Sequence, residues 1–266
     1  MHQARLQLLG DLRLPRAAPN SQETGRTVRV VGGWQATAAS PRRTLIFDRG
    51  AEGPVEVHIE QQVTDVIGCT LWPSSIVLSR IITRSYAGAD GGNKRLSVLE
   101  LGSGCGLVAI TLAIAGHDVL VSDKAAVTPL LRRNTAHWPA IEVECFDWCD
   151  FTSTGTILTD DISAQAFPPR LFDRAFDLVV LSDCLYSSHS VQPLISVLAA
   201  IFARCRDTKI LLANEQRTAL DEFLSAMRKH SLLQSIKLKD VVVPAADLEL
   251  GDGYIVPVRC IEGRWA

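Results

Sequence analysis

The chain has 266 residues, 47% of them hydrophobic and 21% charged, with a formal net charge of −2. That balance suits a globular protein with a sizeable core and leaves no basic footprint for nucleic acid or anionic lipid, so neither is expected as the main partner. The longest apolar run, residues 107–115, is broken by Thr111 and falls well short of the ~20 residues a spanning helix needs, so no membrane role is expected.

Residues 1–43 read as an N-terminal extension, partly flexible, with a Pro- and Asn-containing linker over 14–27 and no apolar segment of secretory type. Short strands are predicted at 28–31 and 44–47, and 55–61 alternates apolar with polar in the period-2 manner of a half-buried strand. Residues 44–93 are thus expected to form a β hairpin and a helix. The helix starts at Trp72, because Pro73 suits a first helical turn.

From residue 94 the pattern becomes regular. Strands are predicted at 96–101, 117–123, 141–148, 175–186 and 209–214, with helices at 106–116, 127–138, 191–205 and 218–230 between and after them. Two late strands follow at 235–240 and 253–262, and 152–173 reads as a surface loop. Runs such as DLVVL are apolar throughout, as expected of strands covered on both faces. Strands alternating with helices predict a doubly wound α/β sheet over 94–266.

The first strand of this series opens into Glu100, Gly102, Gly104 and Gly106. Glycines at a first β-α turn let the backbone approach a ligand closely. The dinucleotide fingerprint G-x-G-x-x-G fails, because Leu107 stands where its third glycine belongs. Asp123 closes the next strand, 21 residues after Gly102, where a carboxylate can accept the two hydroxyls of a ribose. Phe146, Asp147 and Trp148 end the third strand, and Asp183, Cys184, Leu185 and Tyr186 end the fourth, directly after Ser182. Of the seven cysteines none forms a C-x-x-C. Cys145 and Cys149 have no histidine close by, so the cysteines are expected to be reduced, in a cytosolic or nuclear compartment, and no metal is expected.

The E-x-G-x-G-x-G segment resembles motif I of the seven-strand S-adenosylmethionine-dependent methyltransferases. D-C-L-Y (183–186) is similar to the signature of methyltransferase family 16, a group made up mostly of protein-lysine methyltransferases. Four further segments agree with it: IGCTLWPSSIVLSRII (67–82), VSDKAAVTPLLRRN (121–134), DW (147–148) and NEQRT (214–218). Within the family, SDCLYSSHSVQPL and NEQRT look most like members that act on the valosin-containing AAA ATPase. The resemblance implies a Rossmann-like seven-strand methyltransferase sheet with helices on both faces and a small N-terminal β element. It also implies S-adenosylmethionine as cofactor and lysine methylation of a protein (a chaperone, AAA ATPase or translation factor) by a monomer. Trp72, Glu100, Gly102, Gly104, Gly106, Asp123, Asp147, Trp148 and Ser182 would contact the cofactor. Asp183 would orient the amine, and Tyr186 would wall the lysine channel. Glu215 and Arg217 would form an ion pair near the site. By position alone, His189, three residues past Tyr186, could act as a base, but a solvated histidine at a helix start is expected. The chain departs from the family at Asn214, where an aromatic is common. A small-molecule N- or O-methyltransferase and a non-catalytic scaffold stay open as alternatives.

Overall fold

The computed structural model describes residues 26–49, 53–62, 65–86, 94–151, 170–251 and 253–266. Most of the expected N-terminal extension and of the loop expected at 152–173 lies outside them. Strands β1 (Arg26–Val30), β2 (Arg42–Arg49) and β3 (Val55–Glu60) form an antiparallel sheet in that order, so the expected hairpin carries a third strand. The alternation in β2 and β3 turns Leu45, Phe47, Val57 and Ile59 inward, where they pack with Ile76, Leu107, Ile110, Val127 and Leu130. The small sheet is therefore a lid on the helices of the larger unit.

The larger sheet contains β4 (Ser97–Leu101), β5 (Asp118–Asp123), β6 (Ile141–Cys145), β7 (Leu178–Ser182), β8 (Lys209–Glu215), β9 (Ile236–Val241) and β10 (Val258–Trp265). Their spatial order is β6-β5-β4-β7-β8-β10-β9, with β10 antiparallel to both neighbours and the pairings from β6 to β8 parallel. From β4 the chain winds outward through β5 to β6, then returns to lay β7 on the other side of β4. The carboxyl ends of β4 and β7 thus flank the point where strand order reverses, the usual place for a ligand in an open α/β sheet.

Both faces are covered, as the unbroken apolar strands require. Leu99, Leu101, Val179, Leu181, Ile210 and Leu212 point toward helices α4 (Val191–Arg204) and α5 (Thr218–Lys229). The intervening Val98, Val180, Leu211 and Ala213 point toward α1 (Pro73–Ser85) and α2 (Leu107–Ile114), and α3 (Thr128–Thr135) joins that side through Leu131.

Three strands end earlier or begin later than their apolar content suggests. β6 stops at Cys145 because the Asp147 carboxylate accepts the Cys149 N–H (2.9 Å) and starts a 3-10 turn over Trp148–Asp150. β7 stops at Ser182 because Asp183 adopts φ 55°. β10 begins only at Val258, after Pro257, which has no N–H to give to a ladder.

Candidate functional site

The carboxyl ends of β4, β5 and β7 open into a cleft of about 210 Å³, closed on one side by the 3-10 turn Ile67–Cys69 and the start of α1. Every residue expected to bind a cofactor or act in catalysis lines it: Trp72, Glu100, Gly102, Gly104, Gly106, Asp123, Asp147, Trp148, Ser182, Asp183 and Tyr186. Gly68, Ser75 and Lys124 line it as well, and the sequence reading gave them no site role. The signal for Gly68 was present, since it lies in the IGCTLWPSSIVLSRII segment that resembles the family, four residues before Trp72.

The loop after β4 runs through Gly102, Gly104 and Gly106 with φ of 66°, 53° and 83°. Space, as well as backbone angle, demands glycine at Gly102: a Cβ there would lie 2.7 Å from Cη2 of Trp148 and 2.9 Å from Sγ of Cys184. The ends of the third and fourth strands therefore close directly onto the end of the first. Asp123 braces the same loop, its Oδ2 accepting the Gly104 N–H and its Oδ1 the Lys124 N–H, each at 2.8 Å. Burial pushes its carboxyl up, against the pull of those two N–H groups. Trp72 donates its indole N–H to the Ile67 carbonyl at 2.9 Å, so it ties the 3-10 turn to the head of α1 while presenting its ring to the cleft.

Two acids face the cleft with an oxygen to spare. Glu100, 1% exposed, has an Oε2 with no hydrogen-bond partner, and burial pushes its carboxyl up to about 8. Asp183 is the only non-glycine residue with positive φ among the described residues. Its N–H donates to the Ala213 carbonyl (2.9 Å), and its Oδ1 accepts the Glu215 N–H (3.4 Å) and lies 3.7 Å from Arg217. Its buried Oδ2 makes no hydrogen bond, and the Ser74 hydroxyl, equally unpartnered, only favours the charged form from a distance. Burial raises this carboxyl, while the Arg217 guanidinium opposes the rise. Ser182 adds a third buried oxygen without a partner. Tyr186 stands at the rim, 39% exposed.

Arg217 also bonds Glu215 at 2.9 Å, so the expected ion pair exists and reaches Asp183. His189 lies exposed in a 3-10 turn, its N–H on the Ser187 hydroxyl, and does not line the cleft. Cys145 and Cys149 are exposed free thiols. No group of three or more His, Cys, Asp or Glu side chains among the described residues could hold a metal ion. Three buried, unpartnered oxygens on two strand ends are costly unless something donates to them. Their donor-seeking chemistry, beside a loop that admits close backbone approach, fits a polar ligand with cationic and hydroxyl groups.

A family model described as lysine methyltransferase matches residues 52–230. The UPF0665 family protein C23C4.06c of Schizosaccharomyces pombe is 27% identical over 192 residues, 68% of this chain and 54% of that protein. The protein N-lysine methyltransferase METTL21A of Danio rerio is 24% identical over 177 residues, 64% of this chain and 71% of that protein. The chain spans about half the length of the first of these relatives. Among solved structures, magnesium protoporphyrin IX methyltransferase from Synechocystis PCC 6803 with bound SAM aligns at a TM-score of 0.45 and 16% identity. The alignment covers 73% of this chain and 80% of that one. With a family model spanning the glycine loop, the acids of the cleft and the D-C-L-Y turn, the chain belongs to the lysine methyltransferase family.

Proposed function

We propose that the protein transfers a methyl group from S-adenosylmethionine to a lysine side chain of a protein substrate. The observation that carries this reading is Asp183: a buried carboxylate with a free Oδ2, held in the cleft on a left-handed turn next to a half-exposed tyrosine at the rim. Glu100, with its unpartnered Oε2, would take the ammonium of the cofactor's amino-acid end. Asp123 would take the ribose hydroxyls, and Asp147 and Trp148 the adenine. Gly102, Gly104 and Gly106 would run alongside, with Trp72 and Ser182 completing the wall. When bound, the cofactor supplies a methyl group on a positively charged sulfur.

The chain's own residues then have a defined task. A lysine attacks only as the neutral amine, which costs on the order of 4 kcal/mol at pH 7. A carboxylate does not lower that cost. Asp183 instead accepts an N–H of the amine, aims its lone pair and stabilises the positive charge that grows on nitrogen. Arg217 favours the ionised form of Asp183, which the amine needs as an acceptor. Tyr186 covers the lysine methylenes at the rim and offers a π-face to the cation. The proton of the alkylated nitrogen leaves to water. The relatives named as protein-lysine methyltransferases support a protein acceptor, with a chaperone, AAA ATPase or translation factor as the class to try first. A monomer acting in the cytosol or nucleus completes the proposal.

Asp183→Asn tests it, because asparagine tolerates the left-handed backbone and keeps the shape while losing the charge. Calorimetry with S-adenosylhomocysteine should show binding by wild type and variant alike. Transfer of labelled methyl to lysate proteins should fall by roughly 10²-fold or more in the variant. Wild-type protein that binds no S-adenosylhomocysteine, or an Asp183→Asn variant of undiminished activity, would refute the proposal.

A further inference from the structure

We infer that Asn214 is a positioning residue for the proposed reaction, its side-chain amide standing in for a missing rung of the sheet to hold the Asp183–Tyr186 turn. The inference rests on the function proposed above for Asp183. It starts from the place where the β7–β8 ladder ends, the Ser182–Ala213 pair. Beyond that pair the backbone of β7 leaves the sheet through the left-handed Asp183, and no regular strand pairing is possible.

Asn214 is the next residue on β8 and is fully buried. Its Oδ1 accepts the Leu185 N–H at 3.0 Å, and its Nδ2 donates to the Leu185 carbonyl at 3.4 Å. The same Nδ2 donates to the Glu215 carbonyl at 2.8 Å. A carboxamide has the donor and acceptor of a peptide group, so it extends the ladder by one pair across a turn that a backbone cannot follow. Leu185 is itself buried, and its N–H and carbonyl would be costly to leave unpaired.

The mechanical consequence falls on Asp183. A non-glycine residue at φ 55° costs roughly 1–3 kcal/mol and persists only where its surroundings hold it. Three fixings do so. The Asp183 N–H is bonded to Ala213, the Cys184 thiol meets the Leu101 carbonyl at 3.1 Å, and Leu185 is clamped by Asn214. The first two act on or before Cys184, whereas the clamp acts after it and sets where the chain runs on to Tyr186. An aromatic side chain at this position could not make both bonds to Leu185. This chain therefore fixes the substrate side of its cleft by a hydrogen-bonded clamp.

Two variants and two readouts test this. Asn214→Leu keeps the volume and removes both bonds. Its Leu185 amide should exchange with solvent at least tenfold faster by NMR, while the Leu178–Leu181 amides stay protected. S-adenosylhomocysteine affinity should change less than about threefold, and kcat should fall about 10- to 100-fold, the scale of a misplacement near 1 Å. Asn214→Asp keeps the acceptor and regains a donor only when protonated, so its activity relative to wild type should climb as pH falls. Unchanged exchange at Leu185 in Asn214→Leu overturns the clamp. Faster exchange with unaltered kcat, or losses of kcat and cofactor affinity that merely track the unfolded fraction, overturns the positioning role. Wild-type protein that transfers no methyl counts against the function proposed above, while the exchange measurement still decides the clamp.

Discussion

Two glycines with similar backbone angles separate strain from packing at the level of single residues. Gly102 has φ 66° and faces Trp148 and Cys184 within 3 Å of a would-be Cβ, whereas Gly116, after α2, has φ 90° and nothing within 4 Å. An alanine at either position carries the left-handed penalty, on the order of 1 kcal/mol. Only Gly102→Ala must also move the indole and the thiol that join three strand ends. Gly116→Ala should lower stability by that backbone increment alone in urea titrations and leave S-adenosylhomocysteine binding intact. Gly102→Ala should lose about 1–3 kcal/mol more, as overpacked sites do, and bind the ligand at least tenfold more weakly. Equal losses in the two variants would mean that Trp148 and Cys184 give way freely and that the wall of the cleft is soft.

Among the elements, α1 links parts of the chain far apart in sequence. Arg80, 6% exposed, donates to the carbonyls of Val28, Asp247 and Glu249 at 2.8 Å each, and Arg84 pairs with the Asp247 carboxylate. One buried guanidinium thus ties β1 and the segment before β10 to the same helix, and burial lowers its proton affinity. Arg80→Met would keep much of the side-chain bulk but strand those carbonyls, and it should cost about 3–5 kcal/mol in chemical denaturation. A loss below 1 kcal/mol would show that water replaces the guanidinium. No pattern in PSSIVLSRIITRS announces this clamp, because its partners lie about 50 and 167 residues away. What was legible in the sequence was local or repetitive. The alternation in VEVHIE, the doubly apolar DLVVL, the glycine loop and the acids that close consecutive strands all follow from periodicity or short spacing. The insertion of β10 between β8 and β9, the Gly68 carbonyl against Gly104 and the Asn214–Leu185 bonds depend on long-range pairing. Asn214 stood out only as a departure from a family pattern, and its role became visible once Leu185 was seen beside it.

For the molecule as a whole, the cleft concentrates ionisable groups whose burial opposes their charge. Glu100, Asp123 and Asp183, on three neighbouring strand ends, all have carboxyls raised by burial. A carboxyl with a higher pKa folded than unfolded binds more protons in the native state between those two values. Its contribution to stability is therefore complete below the unfolded value and is lost as pH rises through the folded one. For Glu100 the window runs from 4.5 to about 8, and the whole swing is on the order of 5 kcal/mol at 1.36 kcal/mol per unit. His117 works in the opposite sense. Burial lowers its proton affinity, so stability rises with pH until its ordinary value of 6.5 is passed and is constant beyond it. Above pH 6.5 the loss from Glu100 runs unopposed by this histidine. Denaturant titrations of the ligand-free protein should show stability falling by about 2 kcal/mol between pH 6.5 and 8.5. Glu100→Gln keeps the side-chain shape without the ionisation, so its curve should be flatter by about that amount. Parallel curves for wild type and variant would place the pH dependence elsewhere and would mean that Glu100 finds donors in solution, at which point its free oxygen would no longer mark the ligand's cationic end.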